Sequence, residues 1–244
     1  MEISAEKTIL MTNTISGINT EIEVTGQKLE TVTSVKDLGS VITNEGSKRE
    51  ILSRIAQTTA ALTMLKPIWN DRSISLLNEM SISLSSKIQL MRSLVTSIFV
   101  YAFESWTLTA ELQRRIQTLE MRCYRNLLSI SYKDRVTNEE VRARIQQAIG
   151  PHEDLLTTVK RRKLQWYGHV SRSSGLAKTI LKGTVKGGRL RQGRQRKRWE
   201  DNFREWTGPK FDKSQGTLEK REKMEKLVVK SSVVPQLPSR FSDR

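Results

Sequence analysis

Between Lys160 and Arg198 the chain runs for 39 residues without an Asp or Glu, and fourteen Lys and Arg fall in that window. The chain has 42 basic and 26 acidic residues, a net charge of +16, so nearly all of the excess is gathered in one place. A field that concentrated draws a polyanion before any other partner. The expected partner is therefore nucleic acid. The backbone of this stretch is constrained as well: Gly175, Gly183, Gly187, Gly188 and Gly193 stand among the basic residues, so Leu176 to Arg198 is expected to be irregular. The cations expected to meet phosphate are Lys160, Arg161, Arg162 and Lys163, then Arg189, Arg191, Arg194, Arg196, Lys197 and Arg198. Arg and Lys on phosphate supply affinity rather than sequence readout, so binding to RNA or DNA is expected to be nonspecific.

The rest of the chain differs sharply from this window. Residues 1–44 hold three lysines against six acids, and Ile18, Ile22 and Val24 alternate with Asn19, Glu21 and Glu23. That period of two predicts a strand, with a turn at Thr25-Gly26, a return strand over Leu29 to Val32 and a third over Val35 to Ile42. From Ser47 the period becomes helical: Ile51, Ile55, Leu62 and Leu65 share a stripe that Pro67 ends. A second helix is expected from Ser86 to about Trp106, apolar nearly all round and so centrally buried. A third, Ala110 to Leu128, turns Leu112, Ile116, Leu119, Cys123 and Leu127 inward and leaves Arg114, Arg115, Arg122 and Arg125 on a solvated face. Thr137 to Glu140 reads as a capping box opening a short helix that Gly150-Pro151 closes. Another helix, Glu153 to about Ser171, places Leu155, Val159, Trp166 and Val170 on its apolar side.

The expected fold is mainly α, with a small antiparallel β segment at the amino terminus, a helical bundle after it and a basic helical or irregular carboxy-terminal region. Four parts are expected: 1–44, 45–130, 131–211 and a frayed tail over 212–244.

Several chemistries find no support. The longest apolar stretch, Leu94 to Phe103, is broken by Thr96 and Ser97 and falls far short of the roughly 20 residues of a membrane span. Glu2 and Glu6 stand where a secretory signal would be positive. One cysteine, Cys123, allows no intrachain disulfide, and with His152 and His169 it makes too small a ligand set for a zinc site. An intracellular protein, nuclear or cytoplasmic, is expected. The acidic pairs Glu139-Glu140, Glu153-Asp154 and Glu200-Asp201 read as helix capping or charge balance. No phosphate-cradling loop, nucleophile–base pair, cofactor motif or small-molecule site is found. Aromatic residues are threaded through the basic region instead: Trp166, Tyr167, Trp199, Phe203 and Trp206. Such rings can stack on unpaired bases or pack beneath the charges. Trp199, Phe203 and Trp206 follow offsets of four and three, one stripe of a short helix, and packing is the expected role.

Five stretches taken in order resemble a known family: Glu2 to Thr8, Leu38-Gly39-Ser40, Glu104-Ser105-Trp106-Thr107-Leu108, Arg161 to Val170, and Gly193 to Trp199 continuing through Glu205-Trp206-Thr207-Gly208. The chain resembles, over nearly its whole length, the carboxy-terminal third of the reverse transcriptase polyprotein of non-LTR (LINE-type) retrotransposons. The resemblance implies that residues 1–44 are the last part of a polymerase palm, with Lys7 in the place of a lysine that assists the leaving pyrophosphate and Val35 to Gly39 in the primer-gripping hairpin. It implies a helical thumb over 45–130 and a basic extension beyond, holding template RNA or target DNA. The family's metal-binding aspartates would lie upstream of Met1, and no Asp-Asp pair occurs in the chain. Val35 and Asp37 also stand where the family usually has aromatics. Two-metal phosphoryl transfer requires those carboxylates, so this chain alone is expected to be no enzyme. It reads as a fragment or degenerate copy of an RNA-directed DNA polymerase, or as one piece of a longer active one. A helical protein-interaction module with a disordered basic nuclear tail is the alternative.

Overall fold

In a computed structural model the described residues are 4, 8–11, 21–24, 26–44, 46–67, 83–173, 176–182 and 197–207. They form a mainly α protein with small sheets at the amino terminus. The strands are β1 (Ile9–Leu10), β2 (Glu23–Val24), β3 (Gln27–Lys28), β4 (Glu30–Thr31), β5 (Ser34–Asp37) and β6 (Ser40–Thr43). The pairing departs from the expected three-stranded order. β2 pairs antiparallel with β3 rather than with a strand over Leu29 to Val32, and β4 pairs in parallel with β1. The stretch from Val35 to Ile42 is a hairpin, not one strand: Asp37 faces Ser40, and Leu38 (φ 44) and Gly39 (φ 84) make the turn between them. Positive φ at both central residues is the turn whose twist matches a two-residue hairpin. The expected strand residue Ile18 lies outside the described residues, as does Lys7.

A buried ion pair fastens the β5–β6 hairpin to the first helix. Helix α1 (Lys48–Met64) brings Glu50 and Arg54 together, Nε to Oε1 at 2.7 Å. Glu50 Oε2 accepts from the Val41 N–H, and Arg54 donates to the Gly39 carbonyl, both at 2.7 Å. Each charge thus meets its partner and a backbone group of the hairpin. That is the condition under which buried charges are tolerated.

Helix α2 starts at Leu84, capped by Ser83, whose hydroxyl accepts from the Ser86 N–H. It continues as a π-helical stretch over Met91–Thr96 and ends with Ser97–Phe99. It therefore stops short of Trp106. Ala102 turns left-handed (φ 56), and Phe103–Ser105 forms a 3-10 turn that sends Phe103 and Trp106 into the core. No Gly or Pro marks that break, so the apolar run reads as continuous. Nor is the helix buried all round: Ile88, Met91, Val95 and Phe99 form one inward stripe, while Leu90 and Leu94 are exposed.

Helix α3 (Ala110–Leu127) is the spine, packing on α1, on α4 (Asn138–Ile149) and on α5 (Leu155–Arg172). Its Leu112, Ile116, Leu119, Cys123 and Leu127 are buried as the period requires. Arg114, Arg115 and Arg122 are exposed, whereas Arg125 is half-buried and donates to the Val136 carbonyl and to Asn138 Oδ1. Thr137 caps α4 by accepting from the Glu140 N–H, but the Glu140 carboxylate pairs with Arg144 rather than closing a box. One apolar cluster runs from Ile51 through Val159, across the boundary expected near residue 130. Two short helices complete the fold: α6 (Leu176–Lys182), where irregular chain was expected, and α7 (Asp201–Thr207). The tail over 212–244 lies outside the described residues.

Candidate nucleic-acid interface

Helix α5 carries the first half of the basic region, and its rotation decides which cations can reach a partner. Leu156, Val159, Lys160, Lys163, Leu164, Tyr167, Val170 and Ser171 are buried, while Trp166 is 39% exposed. The inner face is thus turned by about a residue from the one built on Leu155 and Trp166. Two of the four clustered cations go inward with it, because residues three apart share a helix face.

Lys163 is wholly buried. Its Nζ donates to the Trp106 carbonyl and to Asn202 Oδ1, the latter at 2.9 Å. It also lies 4.8 Å from the ring centroid of Trp199, 5.4 Å from that of Phe203 and 5.6 Å from that of Trp206. Burial, with Lys197 nearby, pushes its ammonium down to about 7. The two carbonyl acceptors and the ring faces act in the opposite sense. Lys160 is buried beside it, with Nζ 5.6 Å from the Trp206 ring, and burial lowers its pKa also.

The cage is built from α7 and the turn before it. Trp199, Phe203 and Trp206 present one face, Trp199 stacks edge-on against Trp166 at 5.3 Å, and Phe203 lies over Tyr167 at 4.7 Å. Asn202 makes a reciprocal pair with Leu108: its amide donates to the Leu108 carbonyl at 2.7 Å and its Oδ1 accepts from the Leu108 N–H at 2.8 Å. The Trp199 indole donates to the Glu104 carbonyl at 2.7 Å. A seven-residue helix cannot stand by itself in water. These bonds dock it.

The ten cations expected at the interface therefore divide. Lys160 and Lys163, expected to face a partner, are instead buried against the core with Nζ turned to the aromatic rings. Arg161 is held by Glu153 through three hydrogen bonds of 2.9–3.1 Å, and Lys197 pairs with Glu205 at 2.6 Å. Arg162 and Arg198 are exposed. Arg189, Arg191, Arg194 and Arg196 lie outside the described residues. The expected acid-free window is nevertheless closed on itself, since Lys163 near one end touches Trp199 just past the other.

Sequence reasoning found the aromatic stripe and missed Asn202 and Glu120. Nothing near Asn202 announces its bond to a backbone ninety-four positions away. Glu120 does leave a trace, for it falls in the phase of Ile116, Leu119 and Cys123, where a carboxylate is out of place. It is 5% exposed; Oε1 accepts from the Leu155 N–H and the Tyr124 hydroxyl, and burial pushes its carboxyl up to about 7. Among the described residues no cluster of His, Cys, Asp and Glu could hold a metal ion, and no helix is long and apolar enough to cross a membrane. Comparison with protein-family models, curated proteins and solved structures finds no match.

Proposed function

We propose that this chain binds nucleic acid through the phosphate backbone, without sequence preference, as the carboxy-terminal part of a retrotransposon-type reverse transcriptase that carries no polymerase chemistry itself. The observation that carries the reading is the docking of α7. The cage of Trp199, Phe203 and Trp206 around Lys163 ties the far end of the acid-free window to the helical core. A basic segment tethered at both ends presents its cations from a fixed base, with less chain entropy to lose on binding than a free tail has. That favours a binding segment over a basic tail attached to an unrelated interaction module.

The test is fluorescence anisotropy with a labelled 20-base-pair DNA and a 20-nucleotide RNA across a salt series. Log affinity should fall linearly with log salt. Changing Arg194, Arg196, Lys197 and Arg198 together to Ala should weaken both complexes and flatten the duplex slope by up to about 0.9 for each phosphate no longer neutralised. Binding that ignores salt, or no binding at 50 mM salt, would overturn the reading.

A further inference from the structure

A groove built from residues outside the basic window lies on a face that the sequence marks only as solvated. It is a cavity of about 690 Å³ lined by Lys66 beyond the end of α1, by Thr118, Arg122, Arg125 and Asn126 of α3, and by Asn138 of α4 and the Ser129–Ser131 turn. Among the described residues three cations and several neutral hydrogen-bonding side chains line it, and no carboxylate does. Among the described residues neither Lys66 nor Arg122 enters an ion pair.

The 3-10 turn Tyr132–Asp134 follows directly on Ser131, which lines this groove. Ser131 and Asp134 close a capping box over the turn: the Asp134 carboxylate accepts from the Ser131 N–H, and the Ser131 hydroxyl accepts from the Lys133 N–H at 3.4 Å. On this braced turn Tyr132 is 85% exposed, flanked by the exposed Lys133 and Arg135. An aromatic ring held in water by a rigid turn, beside a cationic and hydrogen-bonding trough, matches the two chemistries of a single nucleic-acid strand. Phosphates meet Lys and Arg, and an unpaired base meets a flat ring.

We propose that the groove between α3 and α4 is a single-strand binding site, with the backbone along Lys66, Arg122 and Arg125 and one base stacked on Tyr132. This rests on the nucleic-acid reading above and adds a strand path separate from the basic window.

The test uses the full chain and a labelled 20-nucleotide oligouridine beside a 20-base-pair duplex. Tyr132→Ala should lower single-strand affinity about fivefold or more, the equivalent of one base stack removed, and leave duplex affinity unchanged. Tyr132→Phe should restore it, because stacking needs the ring and not the hydroxyl. Lys66→Ala with Arg122→Ala should flatten the single-strand salt slope by up to about 1.4, two phosphates at about 0.7 each. Single-strand affinity equal to the parent's in Tyr132→Ala would overturn the site. So would displacement of the RNA by polyglutamate at equal charge concentration, which would mean that the groove takes any polyanion. If the parent binds and only the basic-window variant loses affinity, the groove fails and the proposed function stands. If the parent binds neither oligonucleotide at 50 mM salt, both fail.

Discussion

Replacing Lys163 by Met tests whether the cage holds a charge or a neutral amine. Met keeps the length and apolar bulk of the side chain, so packing changes little, while both Nζ hydrogen bonds disappear. Hydrogen bonds from a charged donor contribute about 1.5–3 kcal/mol each. Against that loss stands relief from burying an ammonium. A pKa that falls from 10.5 to about 7 on folding corresponds to about 5 kcal/mol of disfavour for the charged form, at 1.36 kcal/mol per pH unit. Near pH 6.5 the two nearly cancel, and Lys163→Met should lie within about 2 kcal/mol of the parent. Between pH 7 and 10.5 the unfolded chain holds a proton on Lys163 that the folded chain has released. Stability of the parent therefore rises with pH across that window, and the thioether of the variant, which does not titrate, cannot contribute the same rise. By pH 9.5 the parent should have gained about 3 kcal/mol relative to the variant. Urea unfolding followed by circular dichroism at pH 6.5 and 9.5 reads this directly. An identical gap between parent and variant at the two pH values would refute the reasoning, and would mean that the rings and carbonyls keep the ammonium charged throughout.

Glu120→Gln should behave in the opposite sense. The folded carboxyl keeps its proton up to about pH 7 while the unfolded one releases it near 4.5, so stability falls over that range, and the Gln variant should exceed the parent by about 2–3 kcal/mol at pH 8 and little at pH 4.5 in thermal melts. Asn202→Ala removes both bonds to Leu108 and should cost about 2–4 kcal/mol locally, seen as faster hydrogen exchange over 201–207 with α3 unchanged; slowed or equal exchange there would show α7 to be docked by its rings alone. Arg161→Ala, which breaks a partly exposed pair with Glu153, should cost under about 1 kcal/mol by urea unfolding and leave the salt slope of nucleic-acid binding unchanged. With magnesium or manganese the chain should extend no primer on an RNA or DNA template, and nucleotide incorporation that disappears in Lys7→Ala would show otherwise.

What the sequence made legible was set by period, and what it hid was set by partners far along the chain. The inner stripe of α3 and, at the two ends of α4, the Thr137 cap and the Gly150 stop are local, and they stand in the sequence as they stand in the fold; the Glu140 half of the expected box goes to Arg144 instead. The end of α2 is not local: Ala102 adopts a left-handed turn with no glycine to announce it, because Phe103 and Trp106 gain burial on the far side of the break. An αL alanine costs on the order of 1–2 kcal/mol, which the burial of two large rings exceeds.

The run Lys160-Arg161-Arg162-Lys163 shows the same limit at the candidate interface. Read as a charge run, it offers four cations to phosphate; read as a helix, it offers at most two, since residues 160 and 163 share one face and 161 and 162 lie away from it. Which pair turns inward is decided by neither the run nor its flanks. Leu155, Val159 and Trp166 would put the lysines at the edge; Leu156, Val159 and Tyr167 put them inside. The second rotation wins because α7 and the turn before it supply three rings and Asn202 to receive the Lys163 amine. The aromatic stripe at Trp199, Phe203 and Trp206 and the lysine run at 160–163 are therefore one feature seen twice. A binding site inferred from charge alone overstates its reach wherever such a stripe lies close enough to draw the cations inward.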